Sequence, residues 1–163
     1  MKFIDAAKKR LFDFMSDMHQ WETDTVNLYK DGGVEKHGVD ASRTLSAIYS
    51  KYLTEKDRKY GRLPVPNARF PTEYNPLQET IDSVECVSSN KIIIETHWIH
   101  PVVPDFKVKY KYALVFENNE WWIDTKKNTH LLIINGRMLF FNSKFDEIGC
   151  LTLPAGRLIS STG

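Results

Sequence analysis

The chain has 163 residues, 42% of them apolar, which suits one domain with a single core and requires no second. Its 22 Lys and Arg balance 21 Asp and Glu to a formal charge of +1, so it lacks the strongly basic footprint of a direct nucleic-acid binder. Cys86 and Cys150 stand too far apart for a metal or redox motif, and no apolar run approaches the ~18 residues of a membrane span.

The first segment, MKFIDAAKKRLFDFM, scatters charges among its apolar residues and so does not read as a signal peptide, which points to a soluble cytoplasmic protein with reduced thiols. From Ile4 to Tyr29 apolar residues recur every three or four positions, the pattern of one face of a long helix that Asp31-Gly32-Gly33 ends. A second helix is expected to start at Asp40, whose carboxylate can cap free N–H groups, with Ala41, Leu45, Ile48, Tyr49 and Tyr52 facing inward and Gly61 closing the region. Pro64, Pro66, Pro71 and Pro76 then forbid a long helix or a central strand and predict an extended connector.

Beyond the connector the period changes to two. Strands are expected at Ile81–Val87, Lys91–His100, Phe106–Phe116 and Trp121–Asp124, separated by Ser88-Ser89-Asn90, Pro101–Pro104 and Asn118-Asn119. Period two puts Ile92, Ile94, Thr96, Trp98 and His100 on one face of their strand and Ile93, Glu95, His97 and Ile99 on the other. Tyr110, Tyr112, Leu114 and Phe116 likewise oppose Lys109, Lys111 and Ala113. The segment His130–Phe141 carries an Asn135-Gly136 hairpin signal with apolar flanks, and residues 142–163 look irregular. Helices followed by an antiparallel meander predict one α+β domain over 1–163, with a core over 3–127, an apolar hairpin over 128–141 and a tail over 142–163.

The connector FPTEYNP, the run ETIDSVECVSSNKIIIETHW and the hairpin KYALVFENNEWWIDTKK together resemble the immunity proteins of bacterial polymorphic toxin systems. The resemblance covers Phe3 to Lys127 and rests most on Pro71, Tyr74, Ile81, Val84, Thr96, Tyr112 and Trp122-Ile123-Asp124. It implies the nuclear transport factor 2-like (cystatin-like) fold, a half-open cone of N-terminal helices on a curved antiparallel sheet. It also implies a non-enzymatic cytoplasmic protein that binds a co-encoded toxin domain. Family members tend to end near Lys127, so the further hairpin and tail depart from the pattern.

The expected toxin-binding residues are Glu95 and His97 on the outer face of their strand, the row Lys107, Lys109 and Lys111, and Trp121. Lysines that alternate along a strand can also be an ordinary solvated face, with Glu95 or Glu120 pairing across strands. Adjacent tryptophans must point to opposite faces, so one of Trp121 and Trp122 joins the core of Tyr110 and Tyr112 while the other is available as an anchor. Asp13, Asp17, Glu22 and Asp24 on the first helix read as a solvated face, or as phosphate mimics if the toxin is a nuclease. The apolar hairpin or outer sheet face could also support a homodimer.

The wider fold includes enzymes such as ketosteroid isomerase and scytalone dehydratase, and the alternative reading is a small-molecule enzyme or binder using the cone as pocket. Its candidate proton-transfer groups are His100, Asp105 and Asp124, although Asp124 before Thr125-Lys126-Lys127 equally suits a lysine pair. The scattered face assignments argue against a converging catalytic set. His19, His37 and His130 form no HxH, HExxH or Cys/His group, so neither metal nor cofactor is expected.

Overall fold

A computed structural model describes residues 2–56, 68, 70–129, 132–134 and 137–139. Helix α1 runs Lys2–Lys30 and α2 runs Gly33–Tyr52, followed by strands β1 (Glu79–Ser88), β2 (Lys91–Ile99), β3 (Lys107–Glu117) and β4 (Glu120–Thr129). The four strands form one antiparallel sheet in the order β1-β2-β3-β4. Both helices pack on one face of it, the α+β arrangement expected. β5 (Leu132–Ile134) and β6 (Arg137–Leu139) pair as a separate ribbon at the expected hairpin, whose Asn135 and Gly136 lie outside the described residues. So do His130, Cys150, Gly61, Pro64, Pro66 and the whole tail over 142–163.

The core forms because each element turns one stripe inward. Ala7, Leu11, Phe14, Met15, Met18 and Trp21 of α1 meet Ile92, Ile94 and Trp98 of β2 and Tyr110, Tyr112 and Leu114 of β3. Ala41, Leu45 and Tyr52 of α2 complete the layer, and Trp21 Nε1 donates to the Ala41 carbonyl at 3.0 Å, tying the helices together. The β2 alternation is as expected, with Ile92, Ile94, Thr96 and Trp98 all buried. Asn118 and Asn119, with φ of 52° and 66°, make the two-residue turn between β3 and β4.

Two boundaries differ from expectation by more than two residues. α2 begins at Gly33, so Asp40 is not a cap; it lies inside the helix, exposed, and pairs with Arg43. Gly32 and Gly33 take φ of 152° and 74°, and this tight reversal restarts the helix almost at once. The first buried residue of α2 is Ala41, and Val34 and Val39 before it are exposed, so its opening turns show no inward apolar stripe to be read.

The second difference is β4, which continues five residues past Asp124. A bulge there shifts the pairing, because Leu114 faces Ile123 while Ala113 faces Thr125. Asp124 is the extra residue, and period two restarts in the opposite phase, which turns Lys126 inward. The free edge of β4 is partly covered by Leu53, which bridges to Ile123, and by Thr54, whose N–H donates to the Ile123 carbonyl at 3.1 Å.

Candidate functional site

The helix-free face of the sheet gathers five of the six expected binding residues. Across it, Thr80, His97 and Lys109 share one row, and Ser83, Glu95, Lys111 and Lys127 share the next. Lys111 Nζ lies 2.9 Å from Glu95 Oε1, and this hydrogen bond holds the Glu95 carboxyl below its ordinary range. Ser83 Oγ approaches the other Glu95 oxygen at 3.4 Å. A bulge between Ile81 and Ser83 brings Asp82 beside His97, with Oδ1 2.5 Å from Nδ1, so the ring is oriented by a carboxylate. Lys107 and Lys109 are exposed at the end of this band. Toward the opposite end the rows become apolar, through Ile93 beside Ala113 and Val115 beside Trp122.

Trp121 does not belong to this face. It is 3% exposed, enclosed by Phe3 and Phe116 with ring centroids 4.6 and 5.3 Å away. Register decides this: Trp121 faces Phe116 and precedes Ile123 on the core side, whereas Trp122 faces Val115 on the other. Trp122 is therefore the accessible tryptophan, half-buried at the β4 edge, with the Arg10 guanidinium 5.3 Å from its ring centroid. Its indole N–H donates to the Glu117 carbonyl at 3.2 Å.

Of the candidate proton-transfer groups His100 and Asp105 share the β2–β3 connection, while Asp124 lies apart from them at the β4 bulge. His100 Nδ1 accepts two backbone N–H bonds, Asp105 is exposed on the β2–β3 loop, and Asp124 accepts from Thr54 Oγ1 at 3.0 Å and Lys56 Nζ at 2.8 Å. Burial pushes the Asp124 carboxyl up, but these two bonds prevail and leave it below its ordinary value. The α1 carboxylates are likewise engaged within the fold: Asp13 with Lys9, Asp17 with Lys51 and Tyr52, Asp24 with Gln20, and Glu22 with the Tyr74 N–H. Among the described residues no group of three or more His, Cys, Asp or Glu is placed to hold a metal ion.

A polar cluster that the sequence did not reveal lies on the inner face. Lys126, 5% exposed, sits 2.8 Å from Glu73 Oε1 and 3.9 Å from the ring centroids of both Tyr74 and Tyr110. Glu79, also buried, accepts from Thr96 Oγ1 at 2.5 Å. Burial raises its carboxyl against the pull of Lys126 and raises the Tyr74 and Tyr112 phenols well above their ordinary value. The cluster joins the connector to the sheet through Lys126, and the connector is tied to α1 as well, since Tyr74 packs edge-on to Phe14 and Thr72 bonds His19 at 2.8 Å. Only the β4 bulge turns Lys126 inward, and a bulge leaves no mark in residue type alone.

A family described as "NTF2 fold immunity protein" matches residues 6–133 of this chain. Among curated proteins the chain is similar to "Immunity protein RhsIA" of Dickeya dadantii (strain 3937), with 32% identity over 127 residues, 78% of this chain and 90% of that protein. No solved structure matches it. Among the described residues no helix is long and apolar enough to cross a membrane.

Proposed function

The chain belongs to the NTF2 fold immunity proteins, which neutralise toxins, and from that premise we propose that it silences a co-encoded toxin domain through the helix-free face of its sheet. Glu95, His97, Lys107, Lys109 and Lys111 supply polar contacts there, and Trp122 takes the anchoring place that Trp121, being buried, cannot fill. The carrying observation is the family match over 6–133, and the charged band supports the choice of surface. An antiparallel sheet with one face covered by helices leaves the other for a partner. The chain acts in the cytoplasm of the producing cell as an inhibitor, with catalysis left to the toxin.

Co-expression tests this reading. Cells making the adjacent-gene toxin should survive when this chain is present, and the two proteins should purify as one complex. Equal killing with and without the chain, and no complex on size exclusion, would remove it. Lys107→Glu with Lys109→Glu binding the toxin as fast as wild type at low salt would remove the assignment to this face.

A further inference from the structure

The β2–β3 connection, residues 101–105, is exposed along its whole length yet tightly held. His100 Nδ1 accepts the N–H groups of Val102 at 3.2 Å and Val103 at 3.1 Å. Phe106 N–H donates to the Val103 carbonyl at 2.9 Å, and His100 N–H donates to the Phe106 carbonyl at 3.0 Å. Beneath the loop the rings of Trp98, His100 and Phe106 pack edge to face, with centroids 5.5 to 6.4 Å apart. Pro101 and Pro104 restrict the backbone further.

This support holds Val102 and Val103 in water, 75% and 51% exposed. Leu77, 94% exposed, stands on the neighbouring turn, where the Gln78 carbonyl accepts the Ile99 N–H at 3.0 Å. Aliphatic side chains gain nothing by such exposure in the free protein, and a rigid mount means that docking them orders little backbone. Lys107 and Lys109 follow directly along β3 and are exposed, so the tip adjoins the lysine row of the helix-free face.

We propose that Val102, Val103 and Leu77 form a second apolar anchor of toxin recognition, at the end of the face away from Trp122, seating in a concave apolar pit rimmed by carboxylates on the toxin domain. The inference rests on the toxin-contact reading above and deepens it. A second copy of this chain suits the tip poorly. A two-fold contact would set one projecting tip against another and bring the lysines of both copies together.

The test measures binding of the full chain to the adjacent-gene toxin domain, purified as an inactive variant. Val102→Asp with Val103→Asp should weaken binding at least ~30-fold, the scale of a hot spot, and abolish protection in co-expression. Val102→Ser with Val103→Ser, a milder pair that keeps the loop's hydrogen bonds, should weaken it at least ~5-fold with an unchanged circular dichroism spectrum. Val39→Glu, at an 81% exposed position on α2, should bind like wild type. Binding by both loop variants within about twofold of wild type overturns the anchor while leaving the toxin reading intact. So does a wild-type dimer in light scattering that the loop variants dissolve without loss of toxin binding. Absence of any complex with wild type removes the toxin reading and the anchor with it.

Discussion

Trp121 and Trp122 are chemically identical neighbours separated by geometry. Trp121→Ala should cost about 3 kcal/mol or more of folding stability in urea titration, because it opens a cavity between Phe3, Phe116 and the sheet. Trp122→Ala should cost about 1 kcal/mol, since the ring is half-buried and gives up a contact with Arg10 and one hydrogen bond. Equal losses would contradict the register. That the pair divides between faces was legible from period two; which one is buried was not, because Phe3 lies over a hundred positions away and only the folded chain sets it on Trp121. Asp124 carries a second prediction at this scale. Its carboxyl is lowered, so its contribution is full above the unfolded value of about 4 and fades as pH falls through the lower folded value. Asp124→Asn should therefore be less stable than wild type by about 1 kcal/mol or less at pH 7, with solvent screening setting the ceiling, and the gap should be narrower at about pH 3, below the unfolded value. A gap of the same size at both pH values would show that charge is not its source.

At the scale of elements the β4 bulge matters most, because it converts what reads as a polar strand end into the floor of a buried cluster. Lys126 links β4 to Glu73 and Tyr74 of the connector, and Glu22 of α1 holds the Tyr74 N–H at 3.1 Å, so Tyr74 ties three parts of the chain together. Lys126→Met should destabilise the fold by roughly 3 kcal/mol, since Glu73 and Glu79 would lose the cation that balances them. Adding Glu73→Gln should restore part of this loss, and a double variant no better than the single would show that ring packing rather than charge sets the cost. The alternation of β2 and β3, the Asn118-Asn119 turn and the helix-before-strand order were readable because each repeats a local period. The early start of α2 and the late end of β4 were not. The first turns of α2 leave Val34 and Val39 exposed, and a bulge reverses the phase that periodicity relies on.

For the molecule as a whole, a net charge of +1 says little about a partner, because what a toxin meets is the distribution of charge over faces. Glu95 pairs with Lys111 and Asp82 bonds His97 in the middle of the helix-free face, while the exposed Lys107 and Lys109 stand toward the end beside the β2–β3 loop. Exposed charges at the rim of an interface act mainly by steering the encounter, so they change association more than dissociation and are screened beyond about 10 Å at 0.1 M salt. Lys107→Glu with Lys109→Glu should thus slow toxin association roughly tenfold in low salt, measured by stopped-flow mixing, while changing the dissociation rate by less than about twofold. The deficit should shrink steadily as salt is raised toward about 0.5 M. Slowing that persists unchanged at high salt, or that falls mainly on dissociation, would place these lysines inside the desolvated contact instead of on its rim. The apolar tip of Val102 and Val103 should show the opposite division, with its loss carried by faster dissociation at every salt concentration, because burial of aliphatic surface begins only after encounter and ions screen it little.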